Sequence, residues 1–144
     1  MMDRTKPPQT QPVPPVRLPE VDETKLSNGL HLVMVKDSRF PLVTFRLGFD
    51  GGSRLDPVGQ PGVAEALSAL LTEGTARRSS QEIAETLAGL GASLGASNSE
   101  DAIVVSGNCL AENFGAYLKV AAEVTLEASF PEDEVALYRQ NRMQ

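Results

Sequence analysis

The stretch Gly62 to Thr75, GVAEALSALLTEGT, constrains the fold more than any other part of the chain. It reads as one short amphipathic helix with punctuation at both ends. Pro61 suits a first helical position, where its missing N–H would have no partner anyway. Gly74 stands where a left-handed C-cap residue belongs. Val63, Leu67, Leu70 and Leu71 fall at i, i+4, i+7 and i+8, a stripe expected to face a core. Glu65, Ser68, Ala69 and Thr72 take the opposite face, expected to be solvated. On that reading Ser68→Ala changes little, whereas Leu67→Ala opens a cavity worth roughly 2–5 kcal/mol.

A core for that helix has to come from the rest of the 144 residues. A chain of this length makes one domain that buries roughly two-thirds of its unfolded surface. The 13 basic and 19 acidic residues leave a charge of −6, which argues against nucleic acid or an anionic membrane as the main partner. No apolar run has the length of a membrane span. Cys109 is the lone cysteine, so no internal disulfide forms.

Residues 1 to 20 stand apart. Six of the ten prolines lie within the first nineteen positions, which predicts a polyproline-rich, disordered leader. The leader has no apolar h-region and so is no signal peptide. Met1-Met2 before it fits a chain begun just after an export signal, pointing to the periplasm or cell envelope, with the cytoplasm as alternative.

The domain is expected over residues 21–144. Asn28-Gly29 predicts a type I′ hairpin turn between strands Glu23–Leu26 and Leu30–Val35, and Leu42–Phe49 makes a further strand. His31, the only histidine, reads as a strand-edge residue without a second imidazole to share a metal. Gly51-Gly52-Ser53-Arg54 forms a turn and lacks the Gly-Lys-Ser/Thr of a phosphate loop. A second helix runs from Ser80 to Leu90, capped by Ser79 and Glu82 as a capping box, with Ile83, Leu87 and Leu90 inward. Strands Ser93–Asn98 and Ala102–Cys109 follow. Then comes a helix from Ala111 to Glu127, with Phe114, Leu118, Ala121 and Val124 or Thr125 inward. Pro131 opens a last helix whose first turn, Glu132, Asp133 and Glu134, suits the positive end of the helix dipole. Strands, two helices, strands, two helices is an α+β pattern: an antiparallel sheet covered by helices.

Several of these landmarks occur together in one family. Leu26-x-Asn28-Gly29-Leu30, Gly52-Ser53-Arg54, Gly62-x-Ala64 and Gly74-Thr75, in that order, resemble the first part of a pitrilysin/insulinase-type metallopeptidase unit. The resemblance runs from residue 22 to 144, about two-thirds of one unit. Its zinc helix carries an inverted H-x-x-E-H motif. Here the first histidine position is Glu65, the catalytic glutamate position is Ser68 and the second histidine position is Ala69.

A catalytic zinc needs three protein ligands, and histidines one helical turn apart can grip one ion. Ala69 has no donor atom, Glu65 alone cannot replace the pair, and Ser68 cannot act as the general base. The resemblance also implies a substrate-holding Asn-Ala pair on the strand beside the cleft, and here that pair is Gly95-Ala96. The third zinc ligand, a glutamate on the last helix, falls just beyond Gln144 at the family's spacing.

The resemblance therefore implies a non-catalytic member with no cofactor of its own, zinc being expected only in a partner. Its expected role is the degenerate subunit of an oligomer, completing the peptide-binding chamber of a zinc-bearing paralogous peptidase subunit. Main-chain pairing at a sheet edge would hold the peptide substrate. The alternative is a purely structural subunit like the degenerate core subunits of the respiratory cytochrome bc1 complex. Hydrolysis through Ser68 and Glu65 is the weakest reading, since serine chemistry needs a base and His31 is the only histidine.

Overall fold

The structure, a computed structural model, describes residues 19–142. The leader expected over residues 1–20 lies outside them apart from Pro19 and Glu20, both exposed. The described chain divides between Phe40 and Pro41 into two compact units.

The first unit holds β1 (Val21–Lys25) and β2 (His31–Val35), paired antiparallel with Lys25 opposite His31. The type I′ turn expected at Asn28-Gly29 does not form, because only Gly29 takes positive φ (90°) while Asn28 does not. The loop is one residue longer. Gly29 N–H donates to Leu26 O and Leu26 N–H to Leu30 O, the three-residue hairpin that ends in a left-handed glycine. Asn28 contributes its side chain instead, Oδ1 accepting from Leu30 N–H at 3.1 Å. His31 Nε2 lies 3.2 Å from Glu23 Oε2 on this exposed ribbon.

The second unit is built on β3 (Leu42–Asp50), β4 (Ser93–Asn98) and β5 (Ala102–Leu110), antiparallel in the order β3-β5-β4. Alternation along the strands sorts the side chains to two faces. Val43, Phe45 and Leu47 of β3, Val105 and Cys109 of β5, and Leu94 and Ala96 of β4 point to the core. The helices α2 (Ser80–Gly89) and α3 (Phe114–Leu126) supply the other half, with Ile83, Leu87, Tyr117, Val120, Ala121 and Val124 buried. Fully burying side chains such as Val105, Ile83 and Val124 stabilises the unit by roughly 1.5–3 kcal/mol each. Cys109 belongs to this core, and burial pushes its thiol up, away from reactivity.

The α2 capping box forms as the sequence predicts, with Glu82 N–H donating to Ser79 Oγ and Ser79 N–H to Glu82 Oε2. The inward face of α3 holds Phe114, Ala121 and Val124 as expected, but Leu118 is exposed, and Tyr117 and Val120 are buried instead. The Tyr117 ring meets Phe45 edge-on at 5.9 Å and lies over Gly107, which leaves room for the phenol.

The organising helix, α1 (Val63–Leu70), is shorter than Gly62–Thr75 and packs beside β4. Pro61 precedes the N-cap, Gly62, rather than opening the helix. Gly74 is not its C-cap. It lies beyond the helix end, bridges to Ser79, and comes so close to Pro131 that a Cβ would sit 2.8 Å from its ring. The last helix, α4 (Glu132–Arg142), starts after Pro131 with its three acidic residues in the first turn.

Candidate functional site

The face of α1 is turned relative to the sequence expectation. Ala64, Ser68, Leu70 and Leu71 are buried, whereas Val63 and Leu67 are 44% and 36% exposed. Leu70 and Leu71 keep the inward place expected of them, while Ala64 and Ser68 take the places expected of Val63 and Leu67. Small side chains at 64 and 68 let the helix approach the strand closely. Ser68 is cheap to bury because its hydroxyl donates to Ala64 O at 2.9 Å. Leu67 instead lines an apolar groove of about 350 Å³ with Phe49, Ile103, Leu126 and Phe130.

The aim of α1 is fixed from outside the helix. Asp56 accepts Gly62 N–H at 2.7 Å on Oδ2 and Ala64 N–H at 2.8 Å on Oδ1. The segment before it is tied to the β4–β5 turn. Gly51 N–H donates to Asp101 O, Ser53 N–H to Ser99 O and Arg54 N–H to Glu100 O, and the Arg54 guanidinium reaches Asp101 at 3.1 Å. Sequence reading missed Asp56, since a carboxylate six residues ahead of a helix matches no local capping pattern.

The three motif positions do not act together. The Glu65 carboxylate forms an ion pair with Arg142 of α4, both side chains being about half exposed. Ser68 points into the packing against the strand, and Ala69 is an exposed methyl. Glu65, Tyr138, Arg139 and Arg142 line an open pocket of about 520 Å³ with Pro61 and Gly62, and the Arg142 guanidinium lies 6.0 Å from the Tyr138 ring centroid. Arg142 and Tyr138 were also missed, because their partners in the pocket lie on another helix, far off in sequence.

These residues do not fit the zinc of the resembled motif. One carboxylate already paired with a guanidinium, one hydroxyl donated to a carbonyl and one methyl offer no tetrahedral donor set. Among the described residues, no three His, Cys, Asp or Glu side chains form a group able to hold a metal.

At the far end of α1, Glu73 is partly buried, and that desolvation, with the nearby Glu134 charge second, raises its carboxyl above the ordinary glutamate range. Gly95 and Ala96 lie on β4, the sheet's edge strand, whose outer edge has no partner strand among the described residues. Ala96 faces the core, and Gly95 the opposite face. On that face Thr44, Arg46, Ser93, Ser97 and Asn108 are exposed, a polar surface with little charge.

Gly74-Thr75, singled out in the sequence, is a structural hub. Thr75 Oγ1 accepts from Arg77 and Arg78 N–H and donates to Glu123 Oε1 at 2.8 Å, while Arg78 pairs with the same carboxylate. No helix among the described residues is long and apolar enough to cross a membrane.

Residues 32–144 match the family described as Insulinase (Peptidase family M16). The chain is 28% identical over 113 residues to an uncharacterized zinc protease of Rickettsia bellii, covering 78% of this chain and 27% of that protein. It is 26% identical over 133 residues to the mitochondrial-processing peptidase subunit beta of Rattus norvegicus, covering 92% and 27%. Among solved structures it is similar to a peptidase M16 inactive domain from Pseudomonas fluorescens, with TM-score 0.80, 31% identity, and 85% and 30% of the two chains covered. A protease from Helicobacter pylori gives TM-score 0.75 at 26% identity, covering 86% and 30%. The chain thus spans under a third of the length of these relatives.

Proposed function

The chain belongs to the insulinase family, peptidase family M16, and from that premise we propose that it is a non-catalytic member that helps wall the peptide chamber of a zinc-bearing partner subunit. The observation that carries this reading is the state of α1. The carboxylate at the first ligand position is neutralised by Arg142, the hydroxyl at the general-base position is spent on a backbone carbonyl, and the second ligand position is a methyl. No group there can activate water near neutral pH.

Two features of the sheet support the wall role. The face away from the helices carries serine, threonine and asparagine beside Arg46, Leu42 and Val104, a mixed surface that contacts a passing chain without demanding one sequence. The unpaired edge of β4 offers N–H and C=O groups to an extended peptide, so affinity comes from the main chain and Gly95 leaves the approach clear. Zinc belongs to the partner in this reading.

The test is co-purification of the full-length protein from its own source, followed by peptide cleavage with each component alone and together. Cleavage that needs both this protein and a zinc-bearing paralogue supports the reading. Cleavage by this protein alone, with Ser68→Ala abolishing it in a folded variant, overturns it. Co-purification with membrane redox subunits and no peptidase favours a structural subunit instead.

A further inference from the structure

We infer that Arg142 replaces the metal as the cation that ties α1 to α4. This rests on the non-catalytic reading of α1 but requires no partner subunit. In the resembled motif a dication would be gripped by α1 and by a glutamate of the last helix, so it would both react and fasten two helices. Here the fastening survives in another form. Glu65 occupies the first ligand position on α1, and Arg142, at the end of α4, places a guanidinium against it.

The surroundings favour a cation of this kind. Tyr138, one turn earlier on α4, places its ring with the guanidinium 6.0 Å from the centroid, at the outer reach of a cation–π contact. A guanidinium is always protonated and has no open coordination position, so it holds the helices together and activates nothing. Conversely, a positive charge already standing beside α1 opposes a second cation there. Loss of the ligands and gain of the arginine are then one exchange: the site kept its cross-link and gave up its Lewis acid.

Charge exchange tests the fastening. Backbone hydrogen exchange over residues 135–142 is measured for wild type, Glu65→Arg, Arg142→Glu and the double variant with both. Each single change is expected to speed exchange in α4 by about two- to fivefold, as fits a half-exposed pair, and the double variant to restore it. High salt should loosen wild type and leave Glu65→Gln unaltered. Single variants that exchange like wild type, or a double variant no better than the singles, overturn the inference.

Zinc alone tests the exclusion. A Glu65→His/Ala69→His variant is titrated with Zn²⁺ with Arg142 present and with Arg142→Ala added. Removing the guanidinium should tighten zinc binding by about tenfold, and equal affinities overturn the exchange. Both readouts use the chain by itself, so a failure of the chamber role would leave them untouched.

Discussion

The two flanks of the sheet are held by different physics. On one side α2 and α3 bury Ile83, Leu87, Tyr117, Val120 and Val124 against β4 and β5, with Thr75, Arg78 and Glu123 closing a half-buried polar knot at the rim. On the other side α1 lies beside β4, sending Leu71 into the same core and burying Ala64, Ser68 and Leu70, and a half-exposed ion pair links it to α4. Dense apolar contact fixes the first flank to within the volume of a methyl group. The second is fastened by groups that water can compete for. It is also the flank that carries the positions of the resembled motif. The comparison implies a scaffold whose stability resides away from those positions.

The sharpest way to break the comparison is Gly107→Ala. A Cβ there would meet Ser93 O at 1.9 Å and the Tyr117 hydroxyl at 2.6 Å, so strand pairing and core cannot both survive. We expect a loss of about 3 kcal/mol or more, read as collapse of the cooperative thermal transition. Thr75→Val comes next. It strips the acceptor from Arg77 and Arg78 N–H and the donor to Glu123, and should lower stability by about 1–3 kcal/mol in urea unfolding.

Leu67→Ala sits on the weaker flank. Since Leu67 is 36% exposed at the groove, its removal should cost under about 1 kcal/mol, against the 2–5 kcal/mol expected for a core leucine. A cost at the core value would show that the groove is filled in solution.

Glu73→Gln should have the smallest effect and the opposite sign. Burial first, and the Glu134 charge second, raise the Glu73 carboxyl, so the folded state holds its proton more tightly than the unfolded chain. Stability therefore falls as pH rises from the ordinary glutamate range through the raised value. The variant should gain slightly on wild type at neutral pH and lose that advantage in acid. Melting temperatures across that range will show whether the curves converge.

How much of this was legible beforehand follows the same division. The capping box at Ser79 and Glu82, the β4–β5 hairpin and the acidic first turn of α4 were read correctly because each signal is complete within a few residues. The faces of α1 and α3 were read in part: Leu70, Leu71, Phe114, Ala121 and Val124 pack as expected, and Val63, Leu67 and Leu118 do not, because bulky aliphatics outvoted smaller residues in the periodicity. Packing instead selected Ala64 and Ser68, whose size lets a helix approach a strand, and Tyr117, whose ring needs the gap over Gly107. At the site, the residue types at the resembled motif positions, Glu65, Ser68 and Ala69, are read from the sequence directly. Arg142 was not legible, because what gives it meaning is a contact across the fold.

The bracket formed by Asp56 bears on how such a helix ages. Both of its carboxylate oxygens grip the first turn of α1, and the residues displayed further along take no part in that grip. Mounting and payload are separate. Positions 65, 68 and 69 can therefore drift through generations of substitutions while the helix keeps its bearing.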